Sequence, residues 1–265
     1  MPITSVLPKA LFPIVDRAKR VRAVLHVLLE DLTRAGIDQI CMIVSPGQEV
    51  MIRMYLDAIR LAKTPTSIHF VEQSEPQGFG HAVMQAGEFV GGKPFLLLLG
   101  DHAHLARKGQ ISCVRQVIEA FQKQAGCRAM IGMHDVDESV VHTMGTAAGV
   151  PVKDRLFRCG GFVEKPDAET ARKCLRTEVL PEGKYLAHCG IYGFDAEVFE
   201  CLQEESQAAG QSGGEIELAA AQLRLLQRHR DSYYLYWIEG KAYDMGNPEG
   251  YLRTFAAMAG FSVGQ

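Results

Sequence analysis

Apolar positions along this chain recur in two alternating rhythms, and the alternation predicts an α/β fold. Val21, Val24, Leu25, Leu28, Leu29 and Leu32 share one face at helical spacing, and Gly36 supplies a stop, so residues 20–36 read as an amphipathic helix. Gln39–Ser45 (QICMIVS) is a short apolar run between turn residues, the form of a buried parallel strand. Helical spacing returns at Val50–Ala62, a strand pattern at Ser67–Glu72 and a helix at Gly80–Phe89. Phe95–Leu99 (FLLLL) reads as the clearest buried strand of the chain. Ser112–Ala125 is a further helix and Arg128–His134 the strand after it.

The second half is more mixed. Ala148–Val152 and Gly161–Lys165 read as short strands, Ala168–Arg176 as a helix and Leu186–Phe194 as a strand. The glycine-containing stretch Ala208–Gly214 (AAGQSGG) reads as a mobile surface loop, followed by a helix over Glu215–Gln227. An aromatic strand, Ser232–Glu239, and a closing helix, Pro248–Met258, complete the pattern. The expected fold is a doubly wound, mainly parallel Rossmann-like sheet with helices on both faces. With no repeat, low-complexity segment or clear linker, a single compact domain is expected.

Composition narrows the function classes. A chain of 265 residues, 47% hydrophobic, is long enough to bury one large core. A net charge of −3 argues against nonspecific nucleic-acid binding, which needs a basic field. No charged segment followed by an apolar one opens the chain as a signal peptide would, and no apolar stretch is long enough to span a bilayer. Seven cysteines without CxxC spacing read as reduced thiols, so a cytoplasmic protein is expected.

Several residues could carry chemistry. Asp101 follows FLLLL, and ligands of open parallel sheets bind beyond the carboxyl ends of strands. A carboxylate there suits Mg²⁺ beside phosphate oxygens, although it could equally cap the next turn or helix. Asp244, in Tyr243-Asp244-Met245-Gly246-Asn247, would alone be a turn or cap residue. With Asp101 it could complete a two-carboxylate magnesium site. His102 and His104, two apart, do not make a zinc set. Lys9 lies among prolines that stiffen its segment. Lys165, between Glu164 and Pro166, would stand at the rim of the sheet, where it could meet phosphate or simply face solvent. Glu164 could accept hydrogen bonds from sugar hydroxyls or pair with a cation. Gln77-Gly78-Phe79-Gly80-His81-Ala82 offers a glycine that lets a planar base approach and a glutamine able to read its edge. The same residues would also serve as a plain glycine-rich helix entry.

In order, the chain carries Pro2, Thr4, Pro8-Lys9 and Pro13-Ile14-Val15-Asp16, then Q-G-F-G-H-A-V, G-D, V-E-K-P, G-I-Y-G-F, G-E-I-E-L and D-M-G-N-P-E-G-Y. This succession resembles the sugar-phosphate nucleotidyltransferase family. Within it, Q-G-x-x-H-A-V and D-x-G-N-x-x-G-Y lean toward the bacterial UTP–glucose-1-phosphate uridylyltransferases. The resemblance implies the nucleotide-diphospho-sugar transferase fold, with residues 1–135 as the nucleotide-binding half and 136–265 as the sugar-phosphate-binding half. It implies that Gln77 and Gly78 contact the base, that Asp101 and Asp244 hold Mg²⁺, and that Lys9 meets nucleotide phosphate and Lys165 the sugar phosphate. Gly149, Glu164, Gly190 and Glu215 would line the hexose pocket, with Tyr192 beside it. The implied substrates are UTP and glucose 1-phosphate, with dTTP as the alternative nucleotide, and the implied assembly is a homo-oligomer. The family's first strand, its Gly-rich turn and an Arg would fall before Met1. The expectation is therefore a start placed too late, the alternative being a silent truncated homologue that only binds nucleotide or sugar nucleotide.

Overall fold

The structure, a computed structural model, describes residues 6–59 and 67–261. Pro2 and Thr4 of the opening motif lie outside the described residues. In chain order come a 3-10 turn at Lys9–Leu11, strands β1 (Pro13–Val15) and β2 (Val21–Ala23), helix α1 (Val24–Arg34), β3 (Gln39–Val44), α2 (Gln48–Ala58), β4 (Ser67–Glu72), α3 (Phe79–Met84), α4 (Gly87–Val90), β5 (Phe95–Leu98) and β6 (His102–Ala106). Then follow α5 (Cys113–Lys123), β7 (Ala129–Asp137), a 3-10 turn at Glu138–Thr143, β8 (Thr146–Lys153), β9 (Leu156–Val163), α6 (Ala168–Cys174), β10 (Lys184–Phe194), α7 (Val198–Ser212), α8 (Leu218–Arg228), β11 (Tyr233–Trp237), β12 (Gly240–Asp244) and α9 (Pro248–Ala259).

The chain forms two compact units that interleave in sequence. The first is Met1–Ser74, Leu98–Arg115 and Gly240–Gln265; the second is Glu75–Leu97 and Gln116–Glu239.

In the first unit, α1 starts later than its periodicity suggests, because Val21–Ala23 pairs as β2 with β1, Val15 opposite Val21 and Pro13 opposite Ala23. The helix buries Val24, Leu25, Val27, Leu28, Leu29 and Leu32, and Gly36 ends it at φ +86°, where a side chain would be strained. Leu25 and Leu29 pack with Val44, Ile52 and Leu56 under the parallel pair β3–β4. Val24 and Leu28 pack instead with Phe12, Ile14, Ala103, Met245 and Met258. That second cluster draws β1, β6 and α9 together and anchors the Asp244–His102 end of the antiparallel ladder β6–β12.

The second unit is a six-stranded sheet in the order β5-β10-β7-β11-β9-β8, with β8 also pairing back to β10. β7 and β11 run parallel, while β10–β7, β11–β9, β8–β9 and β10–β8 are antiparallel. The α/β layering follows the predicted alternation. The strand pairing is mixed, because the second half closes on itself through antiparallel neighbours.

Four expectations are corrected. Phe95–Leu98 is only half-buried along its length, because β5 is an edge strand, and β3 buries only Val44 while pairing among the described residues with β4 alone. Ala208–Gly214 is not a loop: α7 runs to Ser212 and Gly213 closes it in the left-handed conformation. Glu, Gln and Ala dominate α7, and their helix propensity outweighs a single interior Gly210. The helix expected at Gly80–Phe89 is two, since Ala86 donates to the Val83 carbonyl at 3.0 Å and tightens the turn between them.

Candidate functional site

In the first unit, strand pairing assembles a charged cluster. The β6–β12 ladder sets Asp244 opposite His102, and the Met245 N–H donates to the Asp101 carbonyl at 3.0 Å, which holds the two acidic segments together. One ligand atom from each of Asp101, His102 and Asp244 lies within 4.8 Å of the others. Lys9, on its 3-10 turn, brings Nζ to 3.6 Å from Asp101 Oδ2. His102 Nδ1 stands 3.1 Å from the other oxygen, Oδ1. Burial pushes the Asp101 carboxyl up, but the His102 hydrogen bond, the His102 charge and Lys9 outweigh it and hold the group below the usual carboxylate range.

Asp244 is shaped by its motif. The Gly246 N–H donates to Asp244 Oδ1 at 2.6 Å, and Asn247 caps α9 by accepting from the Gly250 N–H. A Cβ on Gly250 would fall 2.1 Å from the Asp244 carbonyl oxygen, so only glycine fits there. Two carboxylates and an imidazole within reach of one point suit a divalent cation, with the carboxylate oxygens suiting Mg²⁺.

The second unit carries a different surface. β10 bulges between His188, opposite Met133, and Tyr192, opposite Ile131, and Gly190 inside the bulge takes φ +77°. Around it stand the rings of Phe162 and His188 (centroids 5.4 Å apart), His188 and Tyr192 (5.8 Å, edge to face), and Tyr192 and Phe194 (5.9 Å, stacked). Glu164 Oε2 closes over Gly145, where a Cβ would lie only 2.8 Å away. Desolvation pushes the Glu164 carboxyl above its ordinary value; Glu217 adds to the rise, and Lys165 opposes it. β9 ends at Val163, so Lys165 lies beyond the strand, at φ +48°. A non-glycine residue held there is strained, as is common at functional sites. Gln77–Gly80 and Glu215–Glu217 are stitched together: the Ile216 N–H donates to the Gln77 carbonyl and the Gly80 N–H to the Ile216 carbonyl, both at 2.8 Å. A carboxylate, buried aromatic rings and an imidazole gathered at a bulge are groups suited to a polyhydroxylated ligand.

Relatives of known sequence and structure share this arrangement of segments. The nucleotidyl transferase family model matches residues 1–260. This chain belongs to the nucleotidyl transferase family. It is 29% identical over 272 residues to the UTP–glucose-1-phosphate uridylyltransferase of Bacillus subtilis, covering 96% of this chain and 84% of that one. A second such enzyme, from Staphylococcus saprophyticus, is 28% identical over 96% of this chain and 85% of its own. Among solved structures, a UDP-glucose pyrophosphorylase complexed with UDP-glucose superposes with a TM-score of 0.77 at 24% identity, covering 97% of this chain and 92% of that one. A putative glucose-1-phosphate thymidylyltransferase from Bacillus anthracis gives 0.73 at 22% identity, covering all of this chain and 92% of that one. These likenesses establish the Rossmann-like nucleotidyltransferase fold.

In this nucleotidyl transferase the predicted residues fall into two groups. Lys9, Asp101 and Asp244 meet in the first unit. Gln77, Gly78, Glu164, Lys165, Gly190, Tyr192 and Glu215 all belong to the second. Gly149 donates its N–H to Thr177 Oγ1 at 2.9 Å, and a Cβ there would come 2.9 Å from the Phe157 side chain, so the absence of a side chain also serves packing at this position. Gly145, four residues earlier in the same GTAAG stretch, is the glycine that touches Glu164. Gly78 is required by φ +103° and by the Ile216 carbonyl oxygen, 2.7 Å from where its Cβ would be. Glu215 is not a helix cap, since α8 begins after Glu217 and no side chain caps it. Sequence reasoning set His102 aside and passed over His188, because a lone histidine carries no spacing signal. The β6–β12 register and the β10 bulge, both long-range, are what bring them in.

Proposed function

We propose that this nucleotidyl transferase makes UDP-glucose and pyrophosphate from UTP and glucose 1-phosphate. The observation that carries the reading is the Lys9–Asp101–His102–Asp244 cluster, a mixed-charge group suited to a nucleoside triphosphate and its divalent cation. A phosphate oxygen of the sugar phosphate attacks the α-phosphorus of UTP; the new P–O bond forms as the bond to the β-phosphate breaks, and its electron pair leaves with pyrophosphate. The attacking oxygen is already ionised, so no general base is needed, and catalysis rests on alignment and charge neutralisation.

Asp101 and Asp244 would hold Mg²⁺, which when bound supplies positive charge to the triphosphate oxygens. Lys9 binds nucleotide phosphate and is aimed by the stiff Pro8–Pro13 segment. Lys165, set by its strained backbone, binds the phosphate of the hexose. Gln77 reads the uracil edge as donor and acceptor while Gly78 lets the base approach the backbone. Glu164, Gly190, Tyr192 and Glu215 line the hexose, with Gly145 beneath Glu164. A homo-oligomeric, cytoplasmic enzyme goes with this reading. Steady-state pyrophosphate release with UTP and with dTTP, each beside glucose 1-phosphate, tests it. UTP is expected to give the higher kcat/KM by at least about tenfold; preference for dTTP would assign a thymidylyltransferase instead.

A further inference from the structure

Buried polar groups in folded proteins are nearly always hydrogen-bonded, and leaving one unpaired is costly. His188 breaks that rule in the second unit. The residue is 9% exposed, and Nε2 is buried with no hydrogen-bond partner among the described residues. The residue is fixed in place: its backbone N–H donates to the Gly145 carbonyl at 2.8 Å, and its ring lies between those of Phe162 and Tyr192. The other ring nitrogen, Nδ1, and Glu164 Oε2 both face the Cα of Gly145. A Cβ on Gly145 would stand 2.9 Å from Nδ1 and 2.8 Å from Oε2, so glycine keeps open a notch flanked by two polar atoms. Immediately beyond His188 comes the bulge of β10, a device that re-aims side chains beside functional sites.

We propose that the His188 imidazole, acting with Glu164 across Gly145, reads a hydroxyl group of the hexose phosphate and thereby sets sugar specificity. The proposal rests on the nucleotidyl-transfer reading above and adds a residue to it. A hydroxyl can donate to the Glu164 carboxylate and accept from the imidazole N–H, a pairing that neither residue provides to the other alone. Desolvation, with His134 nearby adding repulsion, pulls the His188 ring down to about 4, so it stays neutral near pH 7 and offers one donor and one acceptor rather than a charge for phosphate. A site built around a buried polar group rejects analogues that lack the matching hydroxyl.

The test compares wild type with His188→Leu and His188→Gln, using glucose 1-phosphate and its 2-, 3-, 4- and 6-deoxy analogues. Wild type is expected to lose about tenfold or more in kcat/KM with one deoxy analogue. His188→Leu should raise KM for glucose 1-phosphate by a similar factor, leave KM for UTP unchanged and no longer distinguish that analogue; His188→Gln should recover part of the discrimination. The inference is overturned if His188→Leu keeps the wild-type discrimination, or if the KM values of both substrates rise together. Should His188→Leu fail to fold by circular dichroism, the Gln variant decides alone, with retained full discrimination counting against the proposal. Calorimetry of wild type with glucose 1-phosphate separates the two levels. Binding without pyrophosphate release rejects the nucleotidyl-transfer reading and leaves the same comparison to be made by affinity, whereas no binding at all rejects the hexose subsite.

Discussion

Asp101 has its two carboxylate oxygens divided between different partners, Lys9 on one and His102 on the other. Such a group sits at the balance point of its cluster, and Asp101→Asn should reduce pyrophosphate release by at least about 10² while far-ultraviolet circular dichroism stays unchanged. Chelation with EDTA should silence the wild type to a similar extent, and added Mg²⁺ should restore the wild type but not the variant. Asp31 makes the opposite case, an acid with no evident part in the chemistry. Desolvation lifts its carboxyl to about 6; Glu30 adds to the rise, and Arg34 and Arg22 oppose it. A raised carboxyl favours the fold at low pH, and that contribution is lost as pH climbs through about 6. Asp31→Asn should therefore be more stable than wild type near pH 8, by about 1–3 kcal/mol in urea titrations, with the difference vanishing near pH 4.

Between residues and sites stand the elements, and here turn chemistry does the positioning. The start of α9 is held so tightly that Gly250→Ala must displace the Asp244 carbonyl. That substitution should lower the melting temperature by several degrees, on the order of 1–3 kcal/mol, and reduce turnover together with stability. The D-M-G-N-P-E-G-Y run announced this turn openly, because a cap residue, a proline at the helix start and two glycines are local signals. The same holds for α1, β3, β7 and α9, whose periodicities were legible within a few residues at each end. What was not legible depended on neighbours. FLLLL looks like a core strand by composition, yet whether a strand is covered on both faces is decided by its partners in the sheet. α7 hid behind three glycines that read as loop, when Gly210 is tolerated in the helix and Gly213 ends it. Gly145 went unnoticed, since its place beside Glu164 depends on packing and not on any local signal. His102 and His188 had no pattern at all.

The molecule as a whole divides its chemistry between two interleaved units. One gathers carboxylates and a lysine from residues 9, 101 and 244; the other gathers aromatic rings, carboxylates and a strained lysine around the β10 bulge. The chain crosses between units several times, so each site is assembled from segments far apart in sequence, and family motifs spread along the whole length were the visible trace of that arrangement. No helix among the described residues is long and apolar enough to cross a membrane. The central claim is that this chain transfers a uridylyl group to a sugar phosphate. Its most direct test is to incubate the purified protein with UTP, glucose 1-phosphate and Mg²⁺ and to quantify products by mass spectrometry. UDP-glucose and pyrophosphate should appear in equal amounts, and neither should form when either substrate is left out. Absence of UDP-glucose from the folded protein, or pyrophosphate released without it, would contradict the account.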